Sequence, residues 1–597
     1  MRSQISTSTR IVWPRWLVLI ALVLTACSAP APTPPPEQVE SITKAQPETS
    51  QTDSQVPSAV RQIGIGKIVH EAQLRHAPHP TAPQGVLSFY HSIPPVTADR
   101  ERYPSEGENG VRQVADQPVS TFSIDVDTAA YANARRQISS GKLPHTDSIR
   151  VEEFINYFDY GYPAPNSISA GEAPFSVTTE LGPSPWNPDR KLMLVGLQGY
   201  ELSPKDLPPA NLVFLVDVSG SMNQPNKLAL LKSSLKMLAK RIRAEDRISI
   251  AVYAGAAGQV LPPTTGNERQ KIIQSIDTLH AGGSTNGGAG INLAYKLAEE
   301  NYLADGINRV ILATDGDFNV GTTGIDALRR LIEEKRRSGI SLTVLGFGAG
   351  NYNDALMQEL AQKGNGNAAY IDSINEARKV LVDEMSSTLQ TIAKDVKVQV
   401  EFNPAEVSEY RLIGYETRAL EHEDFNNDRV DAGDIGAGHS VTALYELTLS
   451  GAARPAVDEL RYGSSTAQAP KSTSQHPNEL ATVKLRYKEP QGTTSKLLNR
   501  VIYKSELVDS IQESSDNFRL ASAASAFGQL LRNSKYMENF SFADALELAR
   551  SSKGADEFGY RHEFEQLLRT AAELAPLPPP GNRLSIHTTR HSEAIGQ

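Results

Sequence analysis

A regular alternation of apolar strand-like segments and amphipathic helix-like segments runs from about residue 208 to residue 392. The strand-like segments read LVFLVD, RISIAVYAG, RVILATDG and SLTVLGFG, and each is followed by a stretch in which apolar residues recur with helical spacing. Because parallel strands need a long crossover between them, this order favours an α/β fold. We expect a doubly wound, mostly parallel sheet with helices on both faces.

The last helix of this unit is predicted to run over residues 373–392. Ser373 and Glu376 form a capping box, and apolar residues then recur every three or four positions. The next segment, VKVQVEF, alternates with a period of two residues, which is typical of a strand with one buried face. VTALYELTL and ATVKLRY have the same character, so an accessory β-sandwich-like region is predicted after the α/β unit.

These patterns and the local composition divide the chain into segments. We expect ordered structure to begin near Val111, and we hypothesise that FSVTTEL (175–181) pairs with VKVQVEF (396–402), which would insert the α/β unit into a β-sandwich. The predicted segments are a signal peptide (1–26), a disordered tether rich in Pro and Gln (27–95), an N-terminal accessory region (96–207), the α/β domain (208–392), a β-rich region (393–500), a helical region (501–575) and a disordered tail (576–597).

Length and charge limit the classes of function. A chain of 597 residues is too long for a single core, so several units are expected. It contains 59 Lys and Arg residues against 69 Asp and Glu residues, a net charge of -10, and it has no block of basic residues. Proteins that bind nucleic acid need such a basic surface. A nucleic-acid partner is therefore not expected.

The amino terminus has the layout of an export signal. Three arginines precede an apolar segment (16–24) that is too short to span a bilayer. The sequence that follows, LTAC, resembles the bacterial lipobox, which implies that Cys27 becomes the lipidated first residue. Cys27 is the only cysteine, so it has no disulfide partner within the chain. The resemblance implies a lipid anchor in the bacterial cell envelope, and Ser28 in place of Asp implies the outer membrane if the envelope is Gram-negative.

Oxygen-bearing residues follow two of the predicted strands. Asp217, Ser219 and Ser221 follow LVFLV, and Asp315 follows RVILAT. In an open α/β sheet, ligands bind at the carboxyl ends of the strands. The glycine-rich loop AGGSTNGGAG offers Thr285 as a fifth donor. Two carboxylates and three hydroxyls match the oxygen preference of Mg2+, although Mn2+ and Ca2+ accept the same donors.

The stretch DVSGS, residues 217–221, reproduces the DxSxS metal-ion-dependent adhesion motif, and residues 208–392 resemble a von Willebrand factor type A domain. Thr285 and Asp315 fall at the other metal-site positions of that family. The metal in this family commonly completes its shell with an acidic side chain from a partner protein. The resemblance therefore implies metal-dependent protein binding. We also expect the metal site to project away from the sandwich, since a chain enters and leaves such a domain far from its ligand-binding edge.

A second resemblance covers nearly all of the mature chain. The segments STFSIDVDTAAYANARR, RVEEFINYFDYGYPAP and DFNNDRVDAGDIGAGHSVTALYEL are similar to the bacterial YfbK-like lipoproteins. This resemblance implies an architecture and a location in the cell envelope. It implies no biochemical role for the flanking regions.

Three other motifs are candidates for ligand or catalytic sites. GGSTNGG suggests a phosphate loop, but no GxxxxGK[ST] motif accompanies it, so no nucleotide is expected. Asp125 and Asp127 suggest a catalytic carboxylate pair, although an acid beside a threonine before a helix favours a helix cap. DFNNDRVDAGD has the spacing of a calcium loop at Asp424 and Asp428, but Arg429 replaces the required glycine. We interpret it as a polar turn.

An envelope hydrolase is the rival class of function. Asp217 stands where a GxSxG elbow needs glycine, and no histidine follows closely as a base. In a metal-assisted phosphatase Asp217 would be the nucleophile, but the catalytic lysine and second acid of such a site are not evident in the sequence. A third possibility is a structural scaffold in which the metal only rigidifies the loops. Release of product from generic esters or phosphates would indicate an enzyme. If removal of the metal lowers thermal stability without affecting partner binding, the protein is a scaffold.

Overall fold

The computed structural model describes residues 101–576 except 104, 125–126, 166–172, 204, 317, 319–323, 386–388, 453–455, 458–475, 553 and 555. The predicted signal peptide, Cys27, the tether and nearly all of the predicted tail lie outside the described residues. The described residues belong to one unit, Ser92–Gln597. Ordered contacts begin before the predicted start near Val111, since the backbone N–H of Arg102 donates to the carbonyl of Tyr352 across 3.1 Å.

The described strands form three sheets. Their bounds are Arg112–Gln113 (β1), Val119–Ser123 (β2), Phe175–Pro183 (β3), Lys191–Gly199 (β4), Ala210–Asp217 (β5), Arg247–Tyr253 (β6), Ala257–Thr265 (β7), Ile307–Thr314 (β8), Ser341–Phe347 (β9), Ala368–Ile371 (β10), Thr391–Phe402 (β11), Val407–Ile413 (β12), Gly433–Gly436 (β13), Ser440–Leu449 (β14), Glu479–Lys488 (β15) and Ser495–Tyr503 (β16).

The described α-helices flank these sheets. Their bounds are Ala129–Ser139 (α1), Val151–Ile155 (α2), Leu230–Ala239 (α3), Arg269–Asp277 (α4), Gly287–Glu300 (α5), Ile325–Arg337 (α6), Asp354–Lys363 (α7), Ile374–Arg378 (α8), Asp516–Leu531 (α9), Phe542–Ser551 (α10) and Tyr560–Leu574 (α11). Within the part of the chain that the structure describes, none of them is both long enough and apolar enough to cross a membrane.

The central sheet is a doubly wound α/β sheet, as the sequence predicts. Its six strands lie in the order β10-β9-β8-β5-β6-β7, and all neighbours are parallel except β7, which is antiparallel to β6. Side chains alternate between two buried faces along β5, with Leu212 and Phe214 in one core and Val213 and Leu215 in the other. The edge strand β7 was not predicted. It contains two prolines, which are tolerated only where no neighbour needs their N–H.

Two antiparallel sheets form a sandwich beside this domain. One has the order β1-β12-β14-β4-β3, and the other has the order β13-β11-β15-β16 with β2 also paired to β11. Their inner faces share one hydrophobic core, in which the rings of Phe402 and Tyr445 lie 5.4 Å apart. The strands of the α/β sheet come between β4 and β11 in the chain, so that domain is inserted into the sandwich.

The hypothesised pairing of FSVTTEL with VKVQVEF is wrong. FSVTTEL lies in β3, which pairs with β4, whereas VKVQVEF lies in β11 of the opposite sheet. The strand beside β11 is β2, with Val400 opposite Ser120. A period of two residues identifies which face of a strand is buried but not which strand lies beside it, so the sequence could not distinguish β2 from β3.

The outer face of one sandwich sheet is covered by helices. Leu192 and Leu194 of β4 point into a core formed by α1, α2 and α9–α11, while Met193 and Val195 point into the core of the sandwich. Because both faces are buried, β4 reads as a continuous apolar run instead of an alternating one. The three C-terminal helices fall on the segments that the sequence predicts as helical.

The predicted helix over residues 373–392 is shorter than expected. Ser373 does cap its first turn, accepting a hydrogen bond from the backbone N–H of Glu376 across 3.2 Å. Helix α8 ends at Arg378, and a π-helical turn, Lys379–Asp383, follows it directly. Ile392 lies in β11, which begins at Thr391 with a pairing to Gly436. The pairing of β11 with β13 thus overrides the helical spacing of the last apolar residues.

The sandwich contacts the amino edge of the α/β sheet. The side-chain amide of Asn365, just before β10, donates to Asp434 of β13 across 2.7 Å. The strands of a parallel sheet all run in one direction. Asp217 and Asp315 lie at the carboxyl ends of β5 and β8, so they lie at the edge of the sheet opposite to the edge that contacts the sandwich. This placement agrees with the expected orientation of the metal site away from the sandwich.

Candidate metal centre

Two carboxylates lie side by side at the carboxyl edge of the α/β sheet. Asp217 is the last residue of β5, and Asp315 follows the last residue of β8. These strands are parallel neighbours, with Val216 opposite Ala313, so the register brings the two acids to the same edge of the sheet, one residue apart in level. Asp217 and Asp315 are 0% and 1% exposed. Two buried carboxylates at one point require compensating charge.

The turn after β5 gathers three oxygen donors. Oδ1 of Asp217 accepts a hydrogen bond from the backbone N–H of Ser219 across 2.8 Å. The chain then enters a single 3-10 turn, Gly220–Met222. This turn brings the hydroxyl oxygens of Ser219 and Ser221 to 3.0 Å from each other. The DxSxS spacing therefore folds its three side chains onto one side of the turn.

The glycine-rich loop that contains Thr285 forms backbone hydrogen bonds with this turn. The N–H of Gly220 donates to the carbonyl of Gly283 across 3.0 Å, and the N–H of Gly282 donates to the carbonyl of Val218 across 2.7 Å. Gly283 has a φ of 86°, in the region that favours glycine. Thr285 lies two residues further on, half-buried, just before the start of α5. The loop that carries Thr285 thus contacts the turn that carries the two serines.

Two further residues donate hydrogen bonds that orient Asp217. Its Oδ2 accepts hydrogen bonds from the hydroxyl of Tyr253 across 3.0 Å and from that of Thr314 across 3.3 Å. Burial raises the pKa of Asp217 above its usual value, and hydrogen bonds from Ser219 oppose this rise. Neither residue was predicted from the sequence. Their positions at the ends of β6 and β8, beside the predicted acids, were the available signal.

A lysine also lies in the site. The Nζ of Lys227 is 2.8 Å from Oδ2 of Asp315, and both residues are almost completely buried. The sequence pattern predicted this stretch only as the start of a helix, and a catalytic lysine was not evident in it. The structure corrects that interpretation. The sequence feature that could have indicated this role is the position of Lys227, six residues after Ser221 and before the amphipathic helix α3.

The donor set fits a small hard cation. Neighbouring ligands of an octahedral Mg2+ ion, each about 2.1 Å from the metal, lie about 3.0 Å apart. The oxygens of Ser219 and Ser221 have this separation. The carboxylates of Asp217 and Asp315 lie at the ends of the neighbouring strands β5 and β8. All four side chains offer oxygen atoms, which are the ligands that Mg2+ prefers. The residues present could therefore hold a divalent cation.

The other motifs do not form ligand sites among the described residues. Asp424 closes a capping box with Glu421, which confirms a polar turn. Asp127 accepts a hydrogen bond from the N–H of Ala368 at the start of β10, and Thr128 makes no side-chain cap hydrogen bond, so the predicted helix cap is wrong. Asp125 lies outside the described residues. In the described ranges, no group of three or more His, Cys, Asp or Glu residues is placed to hold a metal.

Three family profiles match the chain. Residues 211–383 match the von Willebrand factor type A domain, and residues 97–194 match a family described as von Willebrand factor. Residues 387–574 match a family described as uncharacterized protein YfbK, C-terminal. Together these profiles cover the α/β domain and both of its flanks.

Individual relatives differ in how much of the chain they match. The uncharacterized protein YfbK of Escherichia coli strain K12 is 46% identical over 484 residues, which are 81% of this chain and 82% of that protein. The human inter-alpha-trypsin inhibitor heavy chain H3 is 24% identical over 298 residues, which are 46% of this chain and 32% of that protein. A solved von Willebrand factor type A structure from Catenulispora acidiphila is 14% identical, covers 69% of this chain and 91% of its own, and superposes with a TM-score of 0.38.

Proposed function

The chain belongs to the YfbK-like family of proteins with a von Willebrand factor type A domain, and we propose that it is an envelope lipoprotein that binds another protein through a divalent cation. Such domains mediate protein–protein interactions in general and commonly hold a divalent metal. The observation that carries the proposal is the convergence of Asp217, Ser219, Ser221 and Asp315 at one edge of the sheet.

The proposed cation is Mg2+, held by Asp217, Ser219, Ser221, Thr285 and Asp315. Mn2+ and Ca2+ accept the same oxygen donors. Mg2+ gives up its waters reluctantly and is usually bound by only part of its shell, so an acidic side chain from a partner can replace one water. When bound, the cation would supply a positive centre that such a carboxylate recognises.

Binding is proposed in preference to catalysis because the side chains of the site are engaged in hydrogen bonds and an ion pair with one another. Both oxygens of Asp217 accept hydrogen bonds, and the ammonium of Lys227 is paired with Asp315. A nucleophilic aspartate needs a free line of approach to its substrate. The presence of Lys227 nevertheless supplies the lysine that a phosphatase would use, so a phosphatase assay belongs in the test.

The proposed location rests on Cys27. A lipid on this residue, followed by the tether, would hold the folded part of the chain at a membrane surface, at the outer membrane if the envelope is Gram-negative. The partner would then be a protein of the same compartment. No nucleic acid or nucleotide is proposed as a ligand.

The test is metal-dependent capture of a partner. The mature chain carrying Cys27→Ser would be incubated with envelope extract in Mg2+ or in EDTA, beside Asp217→Ala and the exposed control Asp305→Ala. We expect a protein retained by wild type and Asp305→Ala in Mg2+, and lost in EDTA or with Asp217→Ala. Binding of Mg2+ to the same four samples would be measured by calorimetry, and their release of phosphate from p-nitrophenyl phosphate would be followed.

Each alternative has its own result. Equal capture in all arms would contradict metal-dependent binding and place the partner surface elsewhere. Metal-dependent phosphate release that Asp217→Ala abolishes would establish an enzyme instead. A lower melting temperature in EDTA with unchanged capture would indicate a structural metal.

A further inference from the structure

Lys227 is a cation built into the proposed metal site. Its Nζ lies 2.8 Å from Oδ2 of Asp315, and the two side chains are only 2% and 0% exposed. Opposite charges at this distance interact strongly where water is excluded, because little solvent screens them. The pair is therefore a fixed part of the site, unlike a surface ion pair.

The surrounding backbone makes room for this lysine. Lys227 lies at a kink within Pro225–Ala229, just before α3, where its backbone is not helical (φ -117°, ψ -105°). Its side chain passes directly over Gly348, the residue after β9. A Cβ atom on Gly348 would lie 2.3 Å from carbons of the Lys227 side chain, and Gly348 has a φ of 78°, which favours glycine. The absence of a side chain at position 348 thus gives Lys227 its path to Asp315.

The lysine changes the net charge of the site. Two carboxylates alone carry two negative charges, which a divalent cation would cancel completely. With the ammonium of Lys227 included, Asp217 and Asp315 keep one net negative charge, and a divalent cation would leave one net positive charge. Both the attraction of the cation and the charge of the loaded site therefore depend on Lys227.

We propose that Lys227 shares Asp315 with the cation, so that it weakens cation binding and leaves the loaded site positive and selective for an anionic partner group. This inference rests on the proposed function and adds a residue that sets the affinity and specificity of the site. Without a cation, Lys227 neutralises Asp315, and the carboxyl edge can remain folded. With a cation, a carboxylate from the partner brings the site to neutrality.

The test compares Lys227→Met with a control lysine in the following helix, α3. Methionine keeps an unbranched side chain of similar length without the charge. Lys236→Met is the matched control, because Lys236 pairs with Asp277 in a more exposed setting. Mg2+ alone would be titrated into each full mature chain by calorimetry, beside wild type and Asp217→Ala. Acetate would then be titrated into the Mg2+-loaded chains as a probe for a carboxylate.

The two titrations should change in opposite directions. Lys227→Met should bind Mg2+ at least ~10-fold more tightly than wild type, since a neighbouring positive charge is removed. Its Mg2+-loaded form should bind acetate at least ~5-fold more weakly, because the net positive charge is lost. Lys236→Met should match wild type in both titrations. General damage to the fold would weaken both and would not give this opposed pattern.

The outcomes separate this inference from the proposed function. Mg2+ binding by wild type but not by Asp217→Ala, with unchanged or weaker binding by Lys227→Met, would overturn the role of Lys227 alone. Absence of Mg2+ binding in all variants would overturn the metal site as well. If Lys227→Met unfolds without metal, the Mg2+ concentration that restores folding gives its affinity by linkage. Failure to refold at a concentration that saturates wild type would also overturn the inference.

Discussion

The hydroxyl of Tyr253 donates a hydrogen bond to Oδ2 of Asp217 across 3.0 Å. Groups that orient a metal ligand typically change metal affinity by about 10- to 100-fold when removed. We therefore expect Tyr253→Phe to bind Mg2+ about 10-fold more weakly than wild type while it remains folded. Calorimetry and circular dichroism would measure the two properties.

Tyr295→Phe is the matched control for this prediction. Tyr295 is also a buried tyrosine of the α/β domain, but its hydroxyl has no hydrogen-bond partner among the described residues. Its removal should leave Mg2+ affinity unchanged. Equal affinities for Tyr253→Phe and Tyr295→Phe would show that the hydrogen bond to Asp217 does not position a metal ligand.

A buried ion pair joins the accessory helices to the α/β domain. Arg150, just before α2, donates to Asp354 at the start of α7 through two nitrogens, across 2.5 Å and 3.1 Å. Removing one partner of such a pair leaves a buried charge uncompensated and costs about 3–5 kcal/mol. We expect Arg150→Met to lower the free energy of unfolding by this amount in urea denaturation.

The control for this prediction is a surface pair. Arg500 and Glu506 lie 3.4 Å apart, and the Arg500 side chain is 47% exposed. Arg500→Met should cost less than about 1 kcal/mol, because water screens such pairs. A similar small loss for Arg150→Met would refute the importance of the buried pair.

Glu152 should make the stability of the fold depend on pH. Burial, with Glu416 and Glu153 nearby, raises its pKa from 4.5 to about 7, and its Oε2 has no hydrogen-bond partner among the described residues. Because the folded-state pKa is raised, its contribution to stability is present at low pH and is lost as the pH rises through about 7. Glu152→Gln stays neutral and should escape this loss.

The measurement is urea unfolding of wild type and Glu152→Gln at pH 5 and pH 8. The variant should gain stability relative to wild type between these two values, by about 2–3 kcal/mol. Glu423→Gln, at an exposed position, should show no such gain. A difference between Glu152→Gln and wild type that is the same at both pH values would contradict the prediction.

Lipidation of Cys27 remains a prediction from the sequence. Cys27→Ser should move the protein from the membrane fraction to the soluble fraction after cell lysis, because the lipid chains would supply the membrane affinity. Ser28→Ala, which leaves the cysteine in place, is the control and should stay with the membrane. Membrane association of Cys27→Ser equal to that of wild type would exclude a lipid anchor at this residue.

The central sheet and two of its site residues follow directly from sequence patterns. Alternation of apolar strands with amphipathic helices predicted the α/β sheet. The rule that ligands bind at the carboxyl ends of parallel strands then predicted that Asp217 and Asp315 would lie together, as β5 and β8 show. Both inferences use local patterns and one general rule of topology.

Features that depend on distant parts of the chain were not predictable in this way. Lys227 reaches Asp315 only because position 348, more than a hundred residues later, has no side chain. Ile392 fits a helical pattern, but β13 pairs with the backbone beside it and draws the segment into a strand. In both cases the deciding partner lies outside the window that a periodicity covers.

The insertion of the α/β domain between β4 and β11 has a consequence for the order of folding. The side chains of Thr121 and Gln399, which are 278 residues apart in sequence, form a hydrogen bond between β2 and β11. The entropy lost in closing a loop grows with its length, so this pairing is costly while the intervening chain is unfolded. We expect the inserted domain to become compact first and to bring β4 and β11 near each other. A substitution that delays its folding would then leave the sandwich strands unpaired and exposed to aggregation while the chain folds.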